Sequence, residues 1–302
     1  MARQDNGTER GDERAAWLMT LPAVTGLIVF LALPFAIGFF FSWTNLRLDS
    51  PLPLKYVGLK QFIRILTDPS FHRALFNSSL FALLIVPIQT TLALGLALLL
   101  NRPLKGMTIY RAFFFVPVIF PMALVAIVWE LIFAPGESGL LNAFLRWVSL
   151  GAWEPVDFLH DQFYALPAIM ILSVWQGVGF QMVIMLAGLK NIPTSLYEAA
   201  ALDGANGWRQ FRHITLPQLR NTIIFVALVT TILAFRLFDQ IWILTQGGPQ
   251  RATTTIIFEA VRAVFKHQDV ARGSAMSVIF FCLVLLVTLI QRHHAKHEKE
   301  YE

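Results

Sequence analysis

Charge is scarce in this sequence. Only 14% of its 302 residues are Asp, Glu, Lys or Arg, against roughly 25% in an average soluble domain, which excludes an ordinary water-soluble domain. Cysteine is scarcer still. Cys282 stands alone, so neither a disulfide framework nor a cysteine metal cluster can be built. No G-x-x-x-x-G-K-[ST] run occurs, and without that backbone cradle the chain has no phosphate loop for ATP. Cys282 and the scattered threonines offer no nucleophile beside a base. His293, His294 and His297 gather in a charged run, 292–302, which reads as a solvated tail rather than a metal site.

What the sequence does have is apolar length. Hydrophobic residues make up 56% of it, concentrated in runs of about 20, the length at which a helix crosses a hydrocarbon core of about 30 Å. Lipid offers backbone groups no partners, so runs this long must be helices. Six spans are expected, at 17–42, 75–100, 111–134, 164–189, 219–244 and 273–291. Pro117 and Pro121 are expected to kink the third, because proline removes a donor and crowds the preceding turn. The stretch 1–16 is hydrophilic, and the run behind it is too long for the core of a cleaved signal, so it reads as a retained span. The net charge of +5 sits largely in loops between apolar runs, where membrane topology explains it without nucleic acid. Lys and Arg lean toward the side holding both termini, by about 13 to about 10, which favours a cytoplasmic location for both ends. Trp17, Trp43, Trp129 and Trp242 fall near span ends, as an interfacial belt does. Glu130, at the end of the third span, reads as an interfacial charge.

The loop after the fourth span is the most structured stretch outside the membrane. Pro193 and Ser195 give a helix start, Glu198 stands three residues on as the acid of a capping box, and an alanine run follows. Gly204 and the pair Asn206-Gly207 tolerate positive φ and permit a sharp turn. A second short helix, about 208–214, is expected to end before Pro217. The apolar side chains Leu196, Leu202, Trp208 and Phe211 suit either docking on a partner or lying on lipid.

Glu198-Ala199-Ala200, then Gly204, then Ile214, Leu216 and Pro217 resemble the EAA loop of binding-protein-dependent ABC importer permeases, which reads E-A-A, three residues, G, nine residues, I-x-L-P. Asn142 in the run 139–142, Trp175 to Phe180, and Phe238-Asp239 followed by Gly247-Gly248-Pro249 are similar to the sugar-importer branch, which holds the permeases for maltose-type oligosaccharides and for glycerol-3-phosphate. The resemblance implies an all-α membrane protein with the six-helix type I ABC importer fold and both termini cytoplasmic. Residues 1–74 would be a cytoplasmic segment, a first helix and a periplasmic loop; 75–291 would be the five-helix core with its coupling loop at 190–218; 292–302 would be a cytoplasmic tail.

It further implies a multi-pass subunit of the bacterial inner membrane, paired with a second homologous permease as a heterodimer, with two ATPase subunits that hold ATP and Mg and an extracytoplasmic substrate-binding protein. Glu198 and Asp203 would make polar contacts to an ATPase, Ala199 and Ala200 would allow close packing, and Gly204 would set the turn. The chain itself would be no enzyme. A substrate path is expected in spans four and five. Arg236, Asp239 and Gln240 share one helix face at spacings of three and four, either as a polar stripe along the path or as an Arg236–Asp239 pair toward the partner permease. Trp175 and Gln176 suit a sugar's apolar face and hydroxyls, or else simple helix packing beside Gly177 and Gly179. Carbohydrate is the expected substrate, with glycerol-3-phosphate or a related phosphodiester as the alternative. From another class, Asp203-Gly204-Ala205 near the membrane admits a lipid-headgroup transferase, but no second aspartate follows at useful spacing. An ion-driven transporter would want paired broken helices.

Overall fold

In the computed structural model, described for residues 6–102 and 104–297, helices dominate. Among the described residues there is no strand, only a lone bridge between Thr44 and Tyr56. Residues 298–302 of the charged tail lie outside the described residues, as do the side chains of His294 and His297.

In chain order the helices are α1 (Asn6–Leu27), α2 (Leu33–Phe41), α3 (Lys60–Leu66), α4 (Pro69–Leu100), α5 (Met107–Ile119), α6 (Met122–Ile132), α7 (Leu140–Val148) and α8 (Ala165–Lys190). They continue with α9 (Thr194–Leu202), α10 (Gly207–Gln210), α11 (Leu216–Phe235), α12 (Asp239–Leu244), α13 (Ile256–Phe265) and α14 (Val270–His297). Wide π turns at Ile28–Ala32 and Phe211–Thr215 join α1 to α2 and α10 to α11.

Five stretches are long and apolar enough to cross a membrane: Ala15–Phe41, Pro69–Leu100, Ala165–Lys190, Gly207–Leu244 and Val270–His293; the pair α5 and α6 makes a sixth if counted as one span. That pair corrects the expected kink. The two helices meet at 99°, a break rather than a bend. Pro117 stays inside α5, whereas Phe120 and Pro121 are both extended, with ψ of 137° and 135°. A residue ahead of proline is pushed out of the helical region, and at Phe120 that preference prevails.

The fifth span is also not one straight helix. Arg236 closes α11, Phe238 sits at φ −144° and ψ −58°, and α12 starts at Asp239. Thr255 Oγ1 donates to the Leu237 carbonyl at 3.0 Å, which fixes the break from 18 residues away. Arg236, Asp239 and Gln240 therefore do not share a helix face. Pro217, expected to follow a helix end, instead lies within a continuous path from α10 to α11. The Leu216 N–H reaches back five residues to Phe211 O, and Leu33 does the same to Ile28 O. One residue beyond each stands a proline, Pro217 or Pro34, whose ring crowds the carbonyl four back and which lacks an N–H. A π turn widens the helix at that carbonyl.

Two compact units are present. In one, formed by the described residues up to Leu66 with Ala260–Ile279, the Trp43 ring stacks on Tyr56, with centroids 6.2 Å apart. The Leu48 N–H donates to Gln268 O at 2.8 Å and the Ala271 N–H to Leu46 O at 2.9 Å. Over Ala15–Phe41 none of the apolar window is buried, an exposure suited to lipid and untenable in water.

The other unit, Thr67–Glu259 with the residues from Phe280 on, is the helix bundle. Asp68 caps α4, accepting from the Ser70 N–H at 2.8 Å with Pro69 behind it, the proline-first arrangement a helix start favours. At 32 residues α4 is about 48 Å long at 1.5 Å per residue. It packs most extensively on α8 and then on α11. At Gly179 the α5 backbone comes so close that any Cβ would overlap the Phe114 carbonyl, so the α5–α8 contact requires glycine there. Two apolar clusters fill the interior. One holds Phe81, Ile85, Phe133, Leu172 and Phe235; the other holds Ala93, Met182, Met185, Leu219 and Val226.

Candidate functional site

Between those clusters lies a polar layer. Along α4 it falls at Gln89, between Ile85 and Ala93; along α11 it falls at Thr230, between Val226 and Ala234. Gln89 Nε2 donates to Ser173 O at 2.7 Å. Gln181 Nε2 donates to Gln89 Oε1 at 3.1 Å and to Thr230 Oγ1 at 2.9 Å. Gln240 Nε2 donates to Ser173 Oγ at 3.2 Å. The network ties α4, α8, α11 and α12 together, and each member is buried. A polar group in an apolar interior has to be paired, and these are, apart from one acceptor: Gln181 Oε1 is buried with no partner.

Four of the layer's members, Gln89, Ser173, Gln181 and Gln240, line a cavity of about 250 Å³ together with Gln176, Arg236, Asp239 and apolar residues that include Phe81, Ile85 and Met122. The break between α11 and α12 brings Arg236 and Asp239 to it. Both are exposed, and among the described residues no ion pair joins them within this chain. Gln176 lines this cavity and Trp175 does not. Trp175 turns toward α6, its ring 5.5 Å from that of Trp129. The sequence reading missed Gln89, Ser173, Gln181 and Thr230. The available signal was the isolated amide inside an apolar run, which lipid makes costly unless it faces protein or water.

At the far end of α8 lies the second candidate site, a lever made of α9, a turn and α10. The capping box is not formed. Pro193 is the N-cap of α9 and makes no side-chain bond, which leaves Ser195 inside the first turn. The other end of α9 is tightly specified. Asp203 is the C-cap, Gly204 has φ +76°, and the Ala205 N–H returns to Ala200 O at 2.9 Å. A helix ending this way needs a residue tolerant of the left-handed region. Asn206 caps α10 by accepting from the Arg209 N–H. Tyr197 Oη and Thr215 Oγ1, 2.9 Å apart, join the base of α9 to the π turn, and Gln210 Nε2 donates to Ala205 O at 3.3 Å.

The lever is thus internally braced and externally bare. Glu198, Ala199, Asp203 and Gly204 are exposed and Ala200 is half-buried. Glu198 and Asp203 have no ion-pair partner among the described residues. Leu202 is 90% exposed and Trp208 67%. Asn142, singled out in the sequence, has a scaffolding position instead. It is 1% exposed, donates to Val156 O at 2.8 Å and accepts from the Val156 N–H and the Trp153 indole, holding the connection between α7 and α8.

Comparison with known proteins gives this geometry its context. The chain is 38% identical over 281 residues to the trehalose/maltose transport system permease protein MalF of Thermococcus litoralis, an alignment covering 92% of each chain. It is 30% identical over 277 residues to the probable starch degradation products transport system permease protein AmyD of Thermoanaerobacterium thermosulfurigenes, covering 91% of each. Its fold matches a chain of the bacterial alginate ABC transporter in complex with alginate pentasaccharide-bound periplasmic protein, with a TM-score of 0.84 at 21% identity over 97% of this chain and 98% of that one. The family profile described as "binding-protein-dependent transport system inner membrane component" matches residues 89–299. A multi-pass helical bundle with an exposed, braced lever between two of its spans is thus a member of that family, the membrane component of a binding-protein-dependent transport system.

Proposed function

We propose that the chain is one of two permease subunits of an ATP-driven carbohydrate importer, forming half of the translocation path. The observation that carries this is the lever. A short helix and its turn, braced at Tyr197–Thr215 and presenting Leu202 and Trp208 almost bare, suits insertion into a cleft of an ATPase subunit, with Glu198 and Asp203 supplying polar contacts and Ala199 and Ala200 close approach. ATP and Mg belong to two such partners, and this chain contributes no catalytic group. The lever and both termini then lie in the cytoplasm of a bacterial cell, with 75–291 as the transport core, and a homologous second permease and an extracytoplasmic binding protein complete the assembly. Closure of the ATPases shifts the bundle between inward- and outward-open states only through contacts that differ between them. The lever directly continues α8 and α11, the two helices that carry Gln181 and Thr230.

The cavity's chemistry supports a neutral polyhydroxylated substrate. Its polar lining is mostly amide, from Gln89, Gln176, Gln181 and Gln240, and the guanidinium of Arg236 is matched there by the carboxylate of Asp239. A phosphodiester would meet that carboxylate at a cost. The names of the relatives, for trehalose/maltose and for starch degradation products, support the same class. Glu198→Lys tests the coupling role. Transport and substrate-stimulated ATP hydrolysis by the purified assembly should both fall at least about tenfold, the equivalent of about 1.4 kcal/mol, while the chain inserts normally. Unchanged rates would remove Glu198 from the contact, and crosslinks from Ala200 or Gly204 that never captured an ATPase would remove the lever.

A further inference from the structure

We propose that α7 is an in-plane membrane anchor whose outward face rests on the lipid bilayer, at the end of α8 opposite the lever. α7 carries one broad apolar arc, part of it buried and part bare. Leu141 and Leu145 pack inward on the cluster that contains Phe133 and Phe158, beside the buried Asn142. Leu140, Phe144, Trp147 and Val148 recur at i, i+4, i+7 and i+8 on the adjoining part of the arc, turned away from the cluster, and are 57–75% exposed. Leu150, just past the helix, is 95% exposed at φ 54°, a backbone region that a helix end usually gives to Gly or Asn. Five large apolar groups on one short segment do not persist against water.

The position of α7 says what covers them. Asn142 Nδ2 donates to Ala134 O at 3.4 Å, two residues past the end of α6, and to Val156 O on the way to α8. α7 is therefore held at the level where two membrane helices end. On α6, Leu124, Ile127, Val128 and Leu131 are exposed, an apolar face suited to acyl chains, and α7 begins eight residues after α6 ends. Trp147 is 75% exposed, and its indole N–H has no partner among the described residues. Such a ring settles where its body is apolar and its N–H is wet. Arg146, next to it, is paired with Glu137, which suits headgroup depth. The inference depends on the membrane fold and not on the substrate.

The test uses the full chain carrying Cys282→Ser, co-purified with its partner subunits and reconstituted in phosphatidylcholine–phosphatidylglycerol vesicles. Single nitroxide labels are placed through Phe144→Cys, Trp147→Cys or Leu150→Cys, with Glu154→Cys as the aqueous reference. Collision with dissolved oxygen relative to a water-soluble nickel chelate should be several-fold higher at the three α7 positions than at 154. Equal ratios would put the face in water. Shielding from both agents, with crosslinks from 144 or 147 to another protein chain, would put a protein there. Either result overturns the proposal.

Discussion

The lever and the polar layer are both polar interruptions of an apolar chain, built in opposite ways. The lever leaves Glu198 and Asp203 exposed and fixes its shape within about two dozen residues, by the Gly204 turn and the Tyr197–Thr215 contact. The layer buries Gln89, Gln181 and Thr230 to 5%, 2% and 1% exposure and draws its order from helices far apart in sequence. A locally braced element can be pushed as a unit. A set of bonds between helices must be exchanged when those helices move. In membranes such bonds contribute about 0.6 kcal/mol each, and at most about 1.7 kcal/mol, which is small enough to be exchanged in a transport cycle. The contrast assigns rigidity to the lever and adjustability to the bundle's middle.

The largest effect expected from breaking this contrast comes from Gly204→Val. At φ +76° a β-branched residue meets a backbone penalty of about 1–2 kcal/mol, and the turn should reopen and misdirect the lever. Transport should drop more than about tenfold. The thermal midpoint of the detergent-solubilised chain should hardly move, because the strained turn opens locally and no neighbour within 4 Å of a Cβ there carries the strain into the bundle. A large fall in midpoint would mean that the lever supports the bundle and is not a separate unit. Gln89→Leu should act on the other side of the comparison. It leaves Ser173 O and Gln181 without their amide partner, a loss of about 1–2 kcal/mol, visible in unfolding titrations. Paired with Gln181→Leu in a double-mutant cycle, the coupling should be about 0.6 kcal/mol. A coupling near zero would show that the two amides do not depend on each other.

The two regions also differ in how far the sequence revealed them. Apolar length alone located the spans, and the turn residues Gly204 and Asn206-Gly207 located the lever, because both are local properties. What stayed hidden depends on distant partners. Pro117 and Pro121 look alike as residues, yet α5 continues through the first and breaks before the second; the stretch just before Pro117 is held against α8 at Gly179, whereas Phe120 is free to extend. The break at 236–238 depends on Thr255, and no helical periodicity contains that. Spacing put Arg236, Asp239 and Gln240 on one face. All three line one cavity, but across a break between two helices, so the shared face that spacing implied does not exist. The capping box failed because Pro193, two residues ahead of Ser195, takes the N-cap position of α9.

The smallest structural effect should come from Arg236→Ala. Arg236 borders the polar layer and shares the lever's bareness, exposed to the cavity with no ion-pair partner among the described residues. Nothing in the fold is left unpaired by its removal, so stability should change by no more than about 0.5 kcal/mol, as for a substitution away from buried contacts. Assembly with the proposed second permease should survive. Its loss would make the guanidinium an intersubunit contact and take Arg236 out of the proposed substrate path. If assembly holds, transport reads the cavity's charge balance. With Asp239 left alone, a neutral sugar should lose rate modestly, whereas an anionic substrate should lose nearly all of it. The ratio of those two losses, measured in vesicles with each candidate substrate, therefore decides which chemistry the cavity was built to pass.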